Sequence, residues 1–145
     1  MKAFVCIMAL FIAIPAFSQE FTKKEIKKHC NGFAKAVTDG DMELCLLYFD
    51  KEYLEVQHND FLQGNTEQFL EEFLAGYDMK APEGEQIIVP VFSEINSCKL
   101  IKLKATSSDS YMVIFEIKLV NGITYLIETQ VVKSPSGIGL VGAMG

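Results

Sequence analysis

SYMVIFEIKLVNGITYLIETQVVK, residues 110–133, is the stretch that decides the fold class. Two runs rich in Val, Ile, Tyr and Phe flank Asn121-Gly122, the strongest short hairpin signal a sequence offers. Taken as a two-residue turn, Asn121-Gly122 sets Val120 opposite Ile123, Ile117 opposite Leu126, Phe115 opposite Glu128 and Val113 opposite Gln130. One face then carries Tyr111, Val113, Phe115, Ile117, Leu119, Leu126 and Val132, with Glu128 and Gln130 among them. The other carries Met112, Ile114, Val120, Ile123, Tyr125, Ile127 and Val131, with Glu116 and Lys118. Both faces are too apolar for a sheet with one side in water. Helices can cover one face; a homodimer formed through the other is the expectation, since Met112, Ile114, Tyr125, Ile127 and Val131 would otherwise lie bare.

Outward from the hairpin, further strands are expected at Gln86 to Ile95, Cys98 to Thr106 and Ile138 to Ala143. Pro90 cannot donate to a ladder, which puts the first of these at an edge or on a bulge. Upstream the periodicity turns helical. Thr22 and Glu25 form a capping box, with Phe21 and Ile26 as its hydrophobic staple. Ile26, Cys30, Phe33, Ala34 and Val37 give one helix face. Gly40 can close that helix left-handed, and Asp41 can cap a second, Met42 to Phe49, apolar enough all round to be wedged in a core. Tyr53 to Gln57 reads as a short strand. Asn65 and Gln68 cap a third helix with the stripe Phe69, Leu70, Phe73 and Leu74, stopped at Gly76, and Ala81 to Glu85 is a polar break. The expected architecture is α+β: three N-terminal helices packed on a curved, mainly antiparallel sheet.

The N-terminus has a different character. Lys2 precedes an apolar run of about 15 residues, short of the ~20 that span a bilayer, and Ala16-Phe17-Ser18 offers small residues for a signal peptidase. Residues 1–18 are therefore expected to be a signal peptide and 19–145 the single mature domain, beginning at Gln19, exported to the periplasm or secreted, with no stable membrane anchor. The chain has 13 Lys, no Arg and 19 acidic residues, a net charge of −6. Without Arg forks, and with a negative balance, nucleic acid is not an expected partner. Cys30, Cys45 and Cys98 remain after cleavage, an odd number. Cys30 and Cys45 are the pair whose spacing about Gly40 approaches disulfide reach; buried free thiols are the alternative.

Gly40-Asp41-Met42-Glu43, then Leu47-Tyr48-Phe49-Asp50, then Gly64-Asn65 before a helix, followed by a strand meander, resembles the nuclear transport factor 2-like superfamily over nearly the whole mature chain. The resemblance implies a cone in which a curved sheet wraps helices and leaves a pocket at its open end. Its members include ketosteroid isomerase-like and dehydratase-like enzymes, ligand binders and assembly modules. This chain lacks the Trp that relatives often carry in the last strand, and it matches none of their Asp/His or Tyr/Asp catalytic patterns position by position.

Glu128 is the best acidic candidate. Opposite Phe115 on an apolar face it would have a raised pKa and could act as acid or bind a polar group; a one-residue bulge would instead send it to water. His58 titrates near neutrality and could be an acid/base given a carboxylate and a pocket, but its polar neighbours suggest an exposed loop. Tyr48, Tyr53, Phe115, Glu128 and Gln130 are the expected pocket residues. His29, beside Lys27 and Lys28, reads as solvated. No metal-ligand spacing, phosphate loop or cofactor motif is found. The expected function is an exported, non-enzymatic domain binding a small apolar ligand or a protein partner. The alternatives are an isomerase or dehydratase using Glu128 or His58, or a purely structural homodimer.

Overall fold

The computed structural model describes residues 22–78, 80 and 87–142. The signal segment, Phe21 of the staple, the polar break at 81–85 and the last residues after Gly142 lie outside them.

Helix α1 (Lys23–Asp39) starts on the expected capping box: the Thr22 hydroxyl accepts from the Glu25 N–H, and the Glu25 carboxylate accepts from the Thr22 N–H. Such a cap is worth about 1 kcal/mol. Gly40 ends the helix at φ 71°, where a Cβ would be strained. Asp41 then caps α2 (Met42–Leu46) through its carboxylate and the Leu44 N–H, 3.0 Å. This helix is shorter than the apolar run suggested, and it is not wedged in the core. Cys45 alone is buried along it, while Leu47 just beyond is 76% exposed. The chain unwinds after Leu46 so that Phe49 can bridge Leu140 in parallel, and Tyr48 and Asp50 exchange backbone hydrogen bonds with Leu140.

The strand expected at Tyr53 to Gln57 is helical instead. Asp50 caps α3 (Lys51–Leu54), which runs on without a break into a π-helical segment, Glu55–Phe61. Helix α4 (Thr66–Phe73) follows, capped by Asn65 as expected.

Strands β1 (Gly76–Tyr77), β2 (Ile87–Ile88), β3 (Ile95–Ala105), β4 (Ser110–Leu119), β5 (Thr124–Ser134) and β6 (Gly137–Val141) form one curved six-stranded antiparallel sheet. The order is β2-β1-β5-β4-β3, and β6 also pairs with β5. β2 is brief and lies at the sheet edge, as Pro90 required; a 3₁₀ turn, Phe92–Glu94, occupies the rest of that expected strand. Register shifts at Ser97 and at Lys102 bend β3.

The hairpin register corrects the expected one. Ile114 faces Glu128, Phe115 faces Ile127 and Val113 faces Thr129. The loop holds three residues, Val120-Asn121-Gly122: the Leu119 N–H donates to the Ile123 carbonyl, and Gly122 takes φ 88°. That is the longer hairpin loop with a left-handed glycine bulge. One extra residue reverses the faces of β5. Tyr125, Ile127, Thr129 and Val131 join Val113, Phe115, Ile117 and Leu119 in the interior, all nearly or fully buried. Leu126, Glu128 and Gln130 join Met112, Ile114, Glu116 and Lys118 outside. The outer face thus has its polar share, and the argument for a homodimer through Tyr125, Ile127 and Val131 loses those residues to the core.

The core centres on aromatic rings between helices and sheet. Phe33 meets Phe49, Phe73 and Phe115 with centroids 5.5–5.8 Å apart, and Phe49 meets Phe69 at 4.9 Å and Phe73 at 4.7 Å. All but the tilted Phe33–Phe115 pair meet edge to face, the arrangement favoured for rings with opposed edge and face charge.

Candidate functional site

The two edges of β5 are used differently. Along one edge β4 pairs with it from Ser110 to Lys118. Along the other, β1 pairs only at Leu126, through Tyr77, and β6 only from Gln130 onward. Between them, among the described residues, positions 127–129 have no strand partner on that side.

A cleft of about 310 Å³ opens against this gap. Tyr53 of α3, Gln57 of the π-helical segment, Leu62, and Phe69, Glu72 and Phe73 of α4 form the helical wall; Ala75, Glu128, Thr129 and Gly142 form the other. The wider turn of the π-helix sits where Gln57 faces the cleft, a placement common at functional sites. The segment ends at Phe61 with Leu62 as its C-cap; Gln63 just beyond takes φ 52°, the positive value among the described non-glycine residues, and a second recess of about 410 Å³ lies there, sharing Leu62.

Of the residues expected to line a pocket, Tyr53 and Glu128 do so. Burial raises the Tyr53 phenol above its usual pKa, offset in part by a backbone hydrogen bond with Gly142. Glu128 lines the cleft but is exposed and on the outer face, because of the three-residue loop; its cross-strand partner is Ile114, not the expected Phe115. Gln130 stands two residues on, opposite Met112 on the outer face. Phe115 is sealed in the core with no exposure. Tyr48 packs edge-on to His29 at 5.1 Å, over the bare backbone of Gly32, where a Cβ would strike its ring.

His58 is not in an exposed loop. It is buried within the π-helical segment, one ring nitrogen 3.0 Å from Asn59 Oδ1 and the other 3.0 Å from Thr66 Oγ1, with its edge to Phe69 at 5.5 Å. Because Asn59 Oδ1 only accepts, Nδ1 carries the proton and Nε2 accepts from Thr66 in the neutral ring. Both nitrogens are occupied, and the ring does not line the cleft. His29 is half-buried, with Nε2 donating to the Tyr48 carbonyl at 2.8 Å; desolvation lowers its pKa below the usual value.

The three described cysteines do not line the cleft. Cys30, Cys45 and Cys98 are free and buried, so the Cys30–Cys45 bridge is not formed. Burial pushes the Cys30 and Cys45 thiols up to about 12 and raises Cys98 further, leaving little thiolate. Among the described residues no group of three or more His, Cys, Asp or Glu could hold a metal, and no helix is long and apolar enough to cross a membrane.

Gln57, Leu62, Glu72, Ala75, Thr129 and Gly142 were not expected at a site, and Phe69 and Phe73 were read only as a helix stripe. Thr129 would have been found by a three-residue hairpin loop, which brings it to the inner face. It is 2% exposed, and its hydroxyl donates to the Val141 carbonyl, tying β6 to β5 beside the gap. The other residues converge through tertiary packing alone.

No family model matches the chain, and no curated protein matches it. Among solved structures it is similar to a "putative dehydratase" from the NTF2-like family of Streptomyces avermitilis, at 11% identity and a TM-score of 0.40, over 84% of this chain and 96% of that one.

Proposed function

We propose that this chain is an exported domain that holds a small, largely apolar ligand in the cleft beside residues 127–129 of β5, without performing chemistry on it. The observation that carries this reading is the cleft itself: about 310 Å³, at the small end of ligand sites, with Tyr53, Leu62 and Phe73 set among the polar Gln57, Glu72 and Glu128. Against catalysis by His58 or Glu128 stand the occupied ring nitrogens of the first and the solvent exposure of the second. An acid/base needs a free lone pair or proton within reach of the substrate and an environment that tunes it.

The test is native mass spectrometry of gently purified mature protein beginning at Gln19, alongside an Ala75→Phe variant that fills the cleft. A retained small-molecule adduct on the wild type that disappears from the folded variant is the expected result. An adduct equally abundant on both would place the ligand elsewhere and overturn the reading.

A further inference from the structure

We infer that the edge of the molecule formed by α1 and β3 docks on an anionic lipid surface; the inference is independent of the cleft. The net charge of −6 is a sum over two unlike halves. α1 and β3 together hold eight lysines against two acidic residues, Glu25 and Asp39. Residues 41–73, which carry α2 to α4, hold nine acidic residues against Lys51 alone. The sheet separates the two sets: β3 is one end of it, and β4 stands between β3 and β5, where α3 and α4 leave the cleft.

Thr38 fastens α1 to β3, its hydroxyl accepting from the Cys98 N–H at 2.9 Å. Lys27 and Lys24 precede Thr38 by about three and four helical turns, so they stand on that same flank of α1. On β3 the register puts Lys99, Lys102 and Lys104 on the outer sheet face, opposite Glu116, Ile114 and Met112. All five lysines are exposed, and the ion pair of this half, Lys35 with Asp39, uses none of them. The register shift between Leu100 and Lys102 also puts Ile101 out among them, 50% exposed. An aliphatic side chain standing among flexible ammonium groups fits a lipid interface, where lysines meet headgroup phosphates and the aliphatic group enters the acyl boundary. A soluble polyanion offers nothing to bury it. Lysines suit a surface of many mobile charges, whereas fixed bidentate recognition calls for Arg, which the chain lacks. The acidic half does not prevent the contact. A domain of this size has a radius of gyration of roughly 14 Å, so its far half stands well beyond the Debye length of about 8 Å at physiological salt. Docked this way, the molecule turns α3, α4 and the cleft to solvent.

The test is co-sedimentation of the mature protein with vesicles of phosphatidylglycerol and phosphatidylcholine in equal parts, and with vesicles of phosphatidylcholine alone. Binding to the mixed vesicles is expected at about 0.1 M salt and its loss at about 1 M, where the Debye length falls to about 3 Å. The neutral vesicles should bind about tenfold less or weaker still. Lys102→Gln/Lys104→Gln should weaken binding about tenfold or more, at roughly fivefold per lysine near the surface. Lys51→Gln/Lys80→Gln removes equal charge elsewhere and should stay within about twofold of wild type. Ile101→Ser should cost about threefold on vesicles and leave binding to dextran sulfate, a soluble polyanion, unchanged. These positions are exposed, and urea unfolding checks that each variant is folded. Binding that ignores the charge of the lipid, or that falls equally in the two double variants, overturns the inference. So does a chain that leaves vesicles unbound while growing in light scattering at low salt, since its basic half then meets the acidic half of a second copy. Ile101→Ser neutral toward vesicles, or dextran sulfate bound as tightly as they are, assigns the edge to a soluble polyanion and overturns the lipid reading. None of these results bears on the cleft, which is judged by the retained adduct and its loss in Ala75→Phe.

Discussion

Strand β5 is one stretch of backbone with two different lives. Toward β4 its ladder is unbroken from Lys118–Thr124 to Ser110–Val132, and beneath that ladder lie Phe115, Ile117, Tyr125 and Ile127, none more than 2% exposed. Toward β1 and β6, among the described residues, the ladder is interrupted at 127–129, and the interruption is where helices α3 and α4 leave a recess. Continuous pairing over a packed face stabilises. The interrupted side, as far as it is described, leaves polar groups facing the recess. The difference predicts that substitutions beneath the continuous ladder act on global stability, while those on the interrupted side act on local pairing or on binding.

The largest effect is expected at Phe115, beneath the unbroken ladder and against Phe33 at 5.5 Å. Phe115→Ala should cost about 3–5 kcal/mol in urea unfolding, from lost burial and the cavity left behind. A cost below about 1 kcal/mol would mean that the continuous edge is not where the fold is held.

Gly76 is the seam on the interrupted side. A Cβ there would land on the Leu126 carbonyl oxygen and lie within 2.7 Å of Ile127 Cγ2 and 2.9 Å of Tyr125 Cδ2. Gly76→Val should therefore separate β1 from β5, costing about 1–3 kcal/mol. Hydrogen exchange should quicken at Tyr77 while the β4–β5 amides keep their protection. Protection lost equally on both edges would erase the distinction between them.

How much of this could be read in advance follows the range of the interactions. Thr22 with Glu25, Gly40, Asp41 and Asn65 act within three or four residues, and each cap stands where the sequence places it. The strands at 110–119 and 124–134 were equally plain, because β-branched and aromatic residues crowd them. Asn121-Gly122 marks a turn of either two or three residues, and local chemistry alone does not separate them. The side-chain period of two converts that single residue into an inversion of Glu128, Thr129 and Gln130. The strand expected at Tyr53 to Gln57 fails for a related reason: helix α3 and the π-helical segment that follow Asp50 pack through His58 against Phe69 and Thr66, contacts with residues of another element. Tyr53 and Glu128 were named as site residues, but Gln57, Glu72 and Gly142 are brought in by three separate elements and carry no common signature.

The turn that sets the register offers a smaller test on the continuous side. Gly122 holds φ 88°, and no atom would obstruct a Cβ there, so Gly122→Ala isolates backbone strain from packing. A cost of about 1–2 kcal/mol is expected, with the cross-peaks of β4 and β5 unmoved beyond the loop. A neutral substitution would show that the bulge does not depend on the left-handed residue.

The smallest expected effect on stability is at Glu128, where the comparison is sharpest. The side chain is exposed, has no ion pair among the described residues and faces Ile114 across the outer ladder. Deleting its charge at constant volume removes no burial and no hydrogen bond, so Glu128→Gln should leave unfolding within about 0.5 kcal/mol of wild type. Its position on the interrupted edge nevertheless makes it a wall of the cleft. The same variant should change the abundance of the adduct retained in native mass spectrometry while leaving the amides of β4 untouched. Stability silent and binding altered would assign Glu128 to the cleft. A variant that unfolds early, with the adduct unchanged, would assign Glu128 to the structural side of β5 and remove it from the site.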